Sequence, residues 1–376
     1  MLCRFSGEEG CMDGENCPES RCFSFSGPAG QISGQHGRLL ARGIGADLAA
    51  RLAGVSGLIG GALPFDRQGQ DYLWRAERGS TVAAPVLPDL HVRAVQAEPA
   101  PQVYAASVAQ ALDELGDDLR KVVLARTLAV VADRPLPQDA IFGRLAQDAT
   151  VTAFRVALPG TQRALIGASP ELLVSKAGGQ ITSHPLAGSA RRPADAGADR
   201  AARDGLAGSD KDRREHAIVV EYILDTLTPY CRDLACPEGT TIASTRSMWH
   251  LGTRITGALR DADMPSVLLA SVLHPTPAVC GVPCDRAAAL IGQLEPVERG
   301  FYAGAVGWCD LDRQGDGAWY VAIRCADICG TQARLYAGAG IVPGSDPVGE
   351  TAETGAKFGA MLQVLGLPAD AALKED

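Results

Sequence analysis

The chain has 376 residues, 46% hydrophobic and 21% charged, with a formal net charge of −9. That composition suits a soluble globular protein with a sizeable core, and its acidic balance lacks the basic footprint of a nucleic-acid binder. No apolar run is long enough to span a bilayer, and Met1-Leu2-Cys3-Arg4 lacks the charged-then-apolar layout of a secretory signal. A cytoplasmic protein with no nucleic-acid or membrane partner is therefore expected.

In chain order, residues 1–27 are expected to be a disordered extension. They hold Cys3, Cys11, Cys17 and Cys22 at spacings that match no standard zinc signature. The 11 cysteines are odd in number and scattered, which reads as mostly buried, reduced thiols. Residues 28–376 are expected to form a single catalytic domain. A short helix is expected at 47–53, strand-like pieces around 57–63, a Pro-rich connection at 80–102 and a helix at 104–119. The β-branched run at 121–131 reads as a buried strand, followed by another at 151–158. Gly178-Gly179 turns a hairpin between 172–175 and 180–184. Ile218, Val219, Tyr222, Ile223 and Leu227 give a helix at 211–227 an apolar side. Shorter helices are expected at 261–272 and 286–294, strands at 301–309, 319–326 and 333–341, and a last helix at 347–365. Neighbouring strands with helices between them point to an α+β (mixed α/β) fold with large, mainly antiparallel sheets.

The segment 338–357 is the richest in chemistry. Asp346 suits an N-cap and Pro347 the first helical position. Glu350, Glu353 and Lys357 then fall at i, i+3 and i+7, on one helix face. Asp212 and Glu215 repeat the paired-carboxylate pattern at the start of another helix. Two such pairs facing each other suit magnesium, which takes oxygen ligands; acids favoured by a helix dipole are the bland alternative.

Lys121 opens an apolar strand, where a desolvated amine can act as a base or simply snorkel. Glu171 follows a Gly-Ala-Ser-Pro turn, where a desolvated carboxyl can serve as an acid. The small-residue stretch 185–192 reads as a loop whose N–H groups and Ser189 can hold an anion. Arg324 is a charge inside an apolar strand, so it needs either a substrate carboxylate or a structural ion pair. Tyr302 and Gly338 can line the same pocket; His250 is a core imidazole or a pocket donor, and His274 reads as structural.

Taken together these stretches resemble the chorismate-utilising enzymes. The resemblance covers residues 100–366, through eight collinear motifs. They are Lys121-Val-Val-Leu-Ala-Arg126, Ala168-Ser-Pro-Glu171, Pro185-Leu-Ala-Gly-Ser189, Arg214-Glu-His216, His250-Leu251, Leu273-His-Pro-Thr-Pro-Ala278, Ile323-Arg-Cys-Ala326 and the 338–357 block.

Arg191-Arg192 and the 273–278 motif are most similar to the branch that makes isochorismate for siderophores. The resemblance implies the family fold, a monomer in solution, and a magnesium-dependent conversion of chorismate to isochorismate. Lys121 is implied as the base that activates water for attack at C2, and Glu171 as the acid that protonates the hydroxyl leaving C4. Glu215 and Glu353 are implied as magnesium ligands, with Glu350 and Asp212 acting through water. Arg324, Tyr302 and Gly338 are implied to hold the enolpyruvyl carboxylate, with Lys357 near the other carboxylate. Gly188, Ser189, His250 and Ala278 complete the implied substrate contacts.

Ala187 stands where aminodeoxychorismate synthases place a lysine, which argues against that branch. Anthranilate synthase component I uses ammonia and lacks a lysine matching Lys121. Salicylate synthase, which goes on to eliminate pyruvate, is the harder rival. An inactive chorismate-binding paralogue is the non-enzyme alternative, opposed by the filled catalytic positions.

Overall fold

Alternation along two long strands separates core from cavity. The computed structural model describes residues 17, 21–40, 43–80, 85–160 and 162–374. Strand Lys121–Ala132 pairs antiparallel with strand Gln332–Ile341, Val122 opposite Ile341 and Ala125 opposite Gly338. Side chains two apart share a face. Val122 and Leu124 therefore join Ala339 and Ile341 in a core with Tyr104 and Val108 of helix Pro101–Asp113 and Leu290 of helix Cys284–Leu294. Further along the same face, Leu128, Val130 and Leu335 pack on Phe358, Met361 and Leu362. The opposite face presents Val123, Gly338 and Gly340 to a cavity.

These strands belong to a 17-stranded sheet, and a separate three-stranded sheet is built from Leu186–Arg191, Met248–Thr253 and Thr240–Ser244. The ladders are antiparallel, and helices cover the sheets, so the expected α+β class is the observed one. Helix Asp210–Leu227 starts where Ser209 Oγ accepts from Asp212 N and buries Val219, Ile223 and Leu227 in the largest core. Helix Pro347–Lys357 starts at Asp346, whose carboxylate accepts from Gly349 N at 2.7 Å.

Several sequence expectations need correction. The disordered extension fails from residue 21 onward, because Arg21–Gly27 is a strand paired with Gly30–Leu39 and Thr152–Ala157. Its short alternation buries Phe23 and Phe25, a signal diluted by the polar stretch before it. Residues 1–16, with Cys3 and Cys11, lie outside the described residues. The connection at 80–102 contains strand Val92–Glu98. The loop at 185–192 is mostly strand Leu186–Arg191, paired with Met248–Thr253. The run 319–326 is two strands, Asp316–Val321 and Cys325–Cys329, broken at Arg324, which has φ +53. The helix at 347–365 is two, Pro347–Lys357 and Gly359–Val364.

Candidate active site

Five elements deliver side chains to one cavity. Its walls include Glu171, Gly188, Ser189, Glu215, His250, Ala278, Tyr302, Arg324, Gly338, Glu353 and Lys357. These are eleven of the fourteen residues given a role from sequence, the others being Lys121, Glu350 and Asp212. The cavity holds about 60 Å³ of free space and adjoins a cleft of about 710 Å³ that shares Pro170, Ser189, Arg324, Glu353 and Lys357 with it. Lys121 and Glu350 are not on the wall. Fully buried Lys121 lies behind Glu215, its Nζ 2.9 Å from Glu215 Oε1, and Lys211 Nζ donates to Glu350 Oε1 at 2.7 Å.

Glycine makes two of these approaches possible. Gly188 has φ +75, and a Cβ there would stand 2.9 Å from Asp212 Cβ, so strand Leu186–Arg191 lies directly on the start of helix Asp210–Leu227. A Cβ on Gly340 would stand 2.1 Å from Glu215 Oε1 and 3.2 Å from Lys121 Cε. Gly340 is thus the bare floor under the Lys121–Glu215 pair.

Glu171 is almost fully buried after the Ser169-Pro170 turn, with Ser169 Oγ accepting from its N–H at 3.2 Å. Burial pushes its carboxyl up to about 7, against a backbone N–H from Leu186 and the charges of Lys121, Arg324 and Lys357. A carboxyl that titrates there can deliver a proton near neutral pH. The charge of Lys121, at the start of strand Lys121–Ala132, thus bears on Glu171, in the turn between strands Arg163–Ser169 and Leu172–Ala177.

Elsewhere on the wall, Ser189 Oγ donates to Glu353 Oε1 at 3.0 Å, and Lys357 Nζ meets the same oxygen at 2.5 Å. Burial pushes the Glu353 carboxyl up, but Lys357 and Ser189 outweigh it and hold it below the usual range. Lys357 Nζ also donates to Gly338 O at 2.9 Å. Burial and the charge of Glu353 raise the Glu350 carboxyl despite Lys211. Asp212 is raised by burial too, with Glu215 and Glu353 adding to it.

Four carboxylates from two helix starts therefore feel one another, and every donor is oxygen, which is the chemistry a hard divalent cation selects. Among the described residues no three His, Cys, Asp or Glu side chains already surround one point. Lys121, Lys211 and Lys357 each hold one glutamate instead.

Arg324 sits in a left-handed break and has no ion-pair partner among the described residues, which removes the structural ion pair as its explanation. Burial lowers its affinity for its proton, offset by Tyr302, Glu353 and Glu171, and the guanidinium remains a cation on the wall. Tyr302 stacks on Tyr336 at 4.9 Å, fixing its ring beside Gly338. His250 is buried and its Nε2 has no partner among the described residues. Burial, with Arg324 and Lys357 nearby, keeps that imidazole neutral. His274 is structural, with Nε2 2.7 Å from Pro64 O.

Gly340, Val279 and Ile323 line the cavity without having been singled out as site residues. For Gly340 the signal was available: it lies two residues from Gly338 on one strand, hence on the same face.

The family model for "Chorismate binding enzyme" matches residues 71–366. Isochorismate synthase DhbC of Bacillus subtilis is 43% identical over 286 residues, covering 74% of this chain and 71% of the relative. The MenF protein of Mycobacterium tuberculosis is 41% identical over 364 residues, covering 90% of this chain and 96% of the relative. The crystal structure of DhbC from Bacillus anthracis superposes with a TM-score of 0.84 at 38% identity, covering 93% of this chain and 97% of that one. With the family model spanning most of the chain and relatives above 40% identity over most of their length, this protein belongs to the chorismate-binding enzymes.

Proposed function

We propose that the protein is an isochorismate synthase, an isomerase that converts chorismate to isochorismate by adding water at C2 and expelling the C4 hydroxyl. The observation that carries this reading is one cavity lined both by Glu171, whose carboxyl burial pushes up to about 7, and by Glu215, whose carboxylate is paired with the buried amine of Lys121. Moving a hydroxyl between ring positions needs both an acid and a base, on separate sides of the ring. The name of the Bacillus subtilis relative supports the same reaction.

In this reading the amine of Lys121 takes a proton from water, which requires its contact with Glu215 to open. Glu171 gives its proton to the leaving hydroxyl. Arg324, Tyr302 and the backbone at Gly338 hold the enolpyruvyl carboxylate, and Lys357 stands by the other carboxylate. Gly188, Ser189, His250 and Ala278 form the remaining contacts. Glu215 and Glu353 are the residues to hold a magnesium ion, with Glu350 and Asp212 behind water. When bound, that ion supplies the positive charge a dianionic substrate needs in an acidic protein. Likeness to the family supports a monomer.

The test is to incubate the purified protein with chorismate and magnesium, with and without ammonia, and identify products by NMR. Isochorismate in both samples supports the reading. Salicylate with pyruvate, anthranilate, or unchanged chorismate overturns it. Supply of 2,3-dihydroxybenzoate or salicylate for a siderophore is the proposed use of the product, and a deletion strain that still makes its siderophore would oppose it.

A further inference from the structure

Two thiols stand together behind the cavity wall, and the chemistry above does not use them. Cys280 is fully buried, and half-buried Cys284 is the first residue of helix Cys284–Leu294. The two Sγ atoms lie 3.4 Å apart, within hydrogen-bond reach of each other. A disulfide needs sulfurs about 2 Å apart, so a closure of roughly 1.4 Å would join them.

The two thiols differ in the way a nucleophile and a resolving thiol differ. Cys284 is held below the usual thiol range, first by its hydrogen bond with Cys280 and also by the charge of Arg67, against burial. Cys280 is pushed up by the same hydrogen bond and by burial. The thiolate is the attacking species in disulfide exchange, so Cys284, which also has solvent access, is the one to react first.

The backbone around Cys280 is part of the catalytic frame. Cys280 O accepts from Val123 N at 2.8 Å, and Gly281 and Val282 pair with Val122 and Lys121. Arg299 Nη1 donates to Val279 O at 2.7 Å. Ala278 and Val279, just before Cys280, line the cavity.

We propose that Cys280 and Cys284 are a reversible disulfide site whose closure moves the Ala278–Val279 wall and weakens substrate binding. The bridge itself is independent of the isochorismate reading; its effect on substrate rests on that reading. With glutathione disulfide as oxidant, the Cys284 thiolate attacks one sulfur and releases one glutathione thiolate, leaving a mixed disulfide. The released thiolate takes the Cys280 proton, and Cys280 sulfur then attacks Cys284 sulfur, expelling the second glutathione. Two protein thiols are oxidised and one glutathione disulfide is reduced to two thiols.

The experiment uses the full-length protein, equilibrated at a series of reduced-to-oxidised glutathione ratios, then peptide-mapped by mass spectrometry and assayed. The expected result is a peptide holding Cys280 and Cys284 that has lost two hydrogens. KM should rise about fivefold with little change in kcat, the pattern of lost uniform binding, and dithiothreitol should restore it. Cys284→Ser should keep the basal activity and show neither change. No bridge at an oxidising ratio, a lasting glutathione adduct on Cys284 alone, or a bridge with unchanged KM each overturns the proposal. Absence of turnover in the reduced protein counts instead against the isochorismate reading, because the mass readout needs no substrate.

Discussion

Gly340→Ala isolates the geometry of the Lys121–Glu215 pair from the stability of the fold. The new methyl would stand 2.1 Å from Glu215 Oε1 and 3.0 Å from its Cδ, where ordinary contact begins at 3.4 Å. The carboxylate must therefore retreat by about 1.3 Å. The backbone accepts the change, since Gly340 is paired regularly with Val123 and is not among the positive-φ residues. Alanine at a compatible glycine stabilises by about 0.4–1 kcal/mol through the unfolded chain, which offsets part of the crowding. Stability should stay within about 1 kcal/mol of the parent, a melting shift of a few degrees at most. Catalysis should suffer more, because a misplacement of about 1 Å costs roughly 100-fold, or about 2.7 kcal/mol of barrier. The assay is steady-state isochorismate formation beside a thermal melt of the same sample. Parent-like kcat/KM in a folded Gly340→Ala protein would refute the role given to the pair. A melt that collapses along with activity would refute the separation of site from fold.

Lys121→Ala should lower turnover by roughly 100-fold to 10,000-fold, the range for a general base, while chorismate binding measured by calorimetry stays largely intact; full activity eliminates Lys121 as the base. Glu171 must be protonated to act, so activity should fall as pH rises through about 7, and Glu171→Gln should remove that basic limb together with most of the rate. The same group gives a stability test with a definite sign. Its folded value lies above the ordinary carboxyl value of 4.5, so its contribution is fully present below 4.5 and is lost as pH rises through about 7. Melting of Glu171→Gln across that window should be flatter than that of the parent. Glu215→Ala should weaken magnesium dependence and turnover together, and an unchanged magnesium titration refutes its assignment as a ligand.

Sequence pattern located the site better than it located the strands. Positions along a capped helix are fixed by the cap and by the 3.6-residue repeat, both local, so Glu215, Glu353 and Lys357 fall on their helices as expected. The eight-motif resemblance then joined stretches that only the fold brings together. What pattern missed was set by tertiary pairing. Leu186–Arg191 is made of small residues with little intrinsic strand preference, and it is a strand because Met248–Thr253 lies beside it. Arg324 reads as mid-strand by hydropathy, yet its left-handed backbone ends one strand before the next begins. Arg21–Gly27 is short, and its alternation acquires meaning only when Phe23 and Phe25 meet the Thr152–Ala157 strand. The lysine partners of Glu215 and Glu350 were also beyond reach, because Lys121 and Lys211 lie 94 and 139 residues from theirs, a separation that the chain order does not report.

In the proposed reaction, buried groups around one cavity exchange a ring hydroxyl for one drawn from water. A single turnover experiment in oxygen-18 water, with chorismate, magnesium and the native protein, reads this directly by mass spectrometry and NMR. The expected product is isochorismate carrying one heavy oxygen at C2. Isochorismate without the label, or a different product, would contradict it.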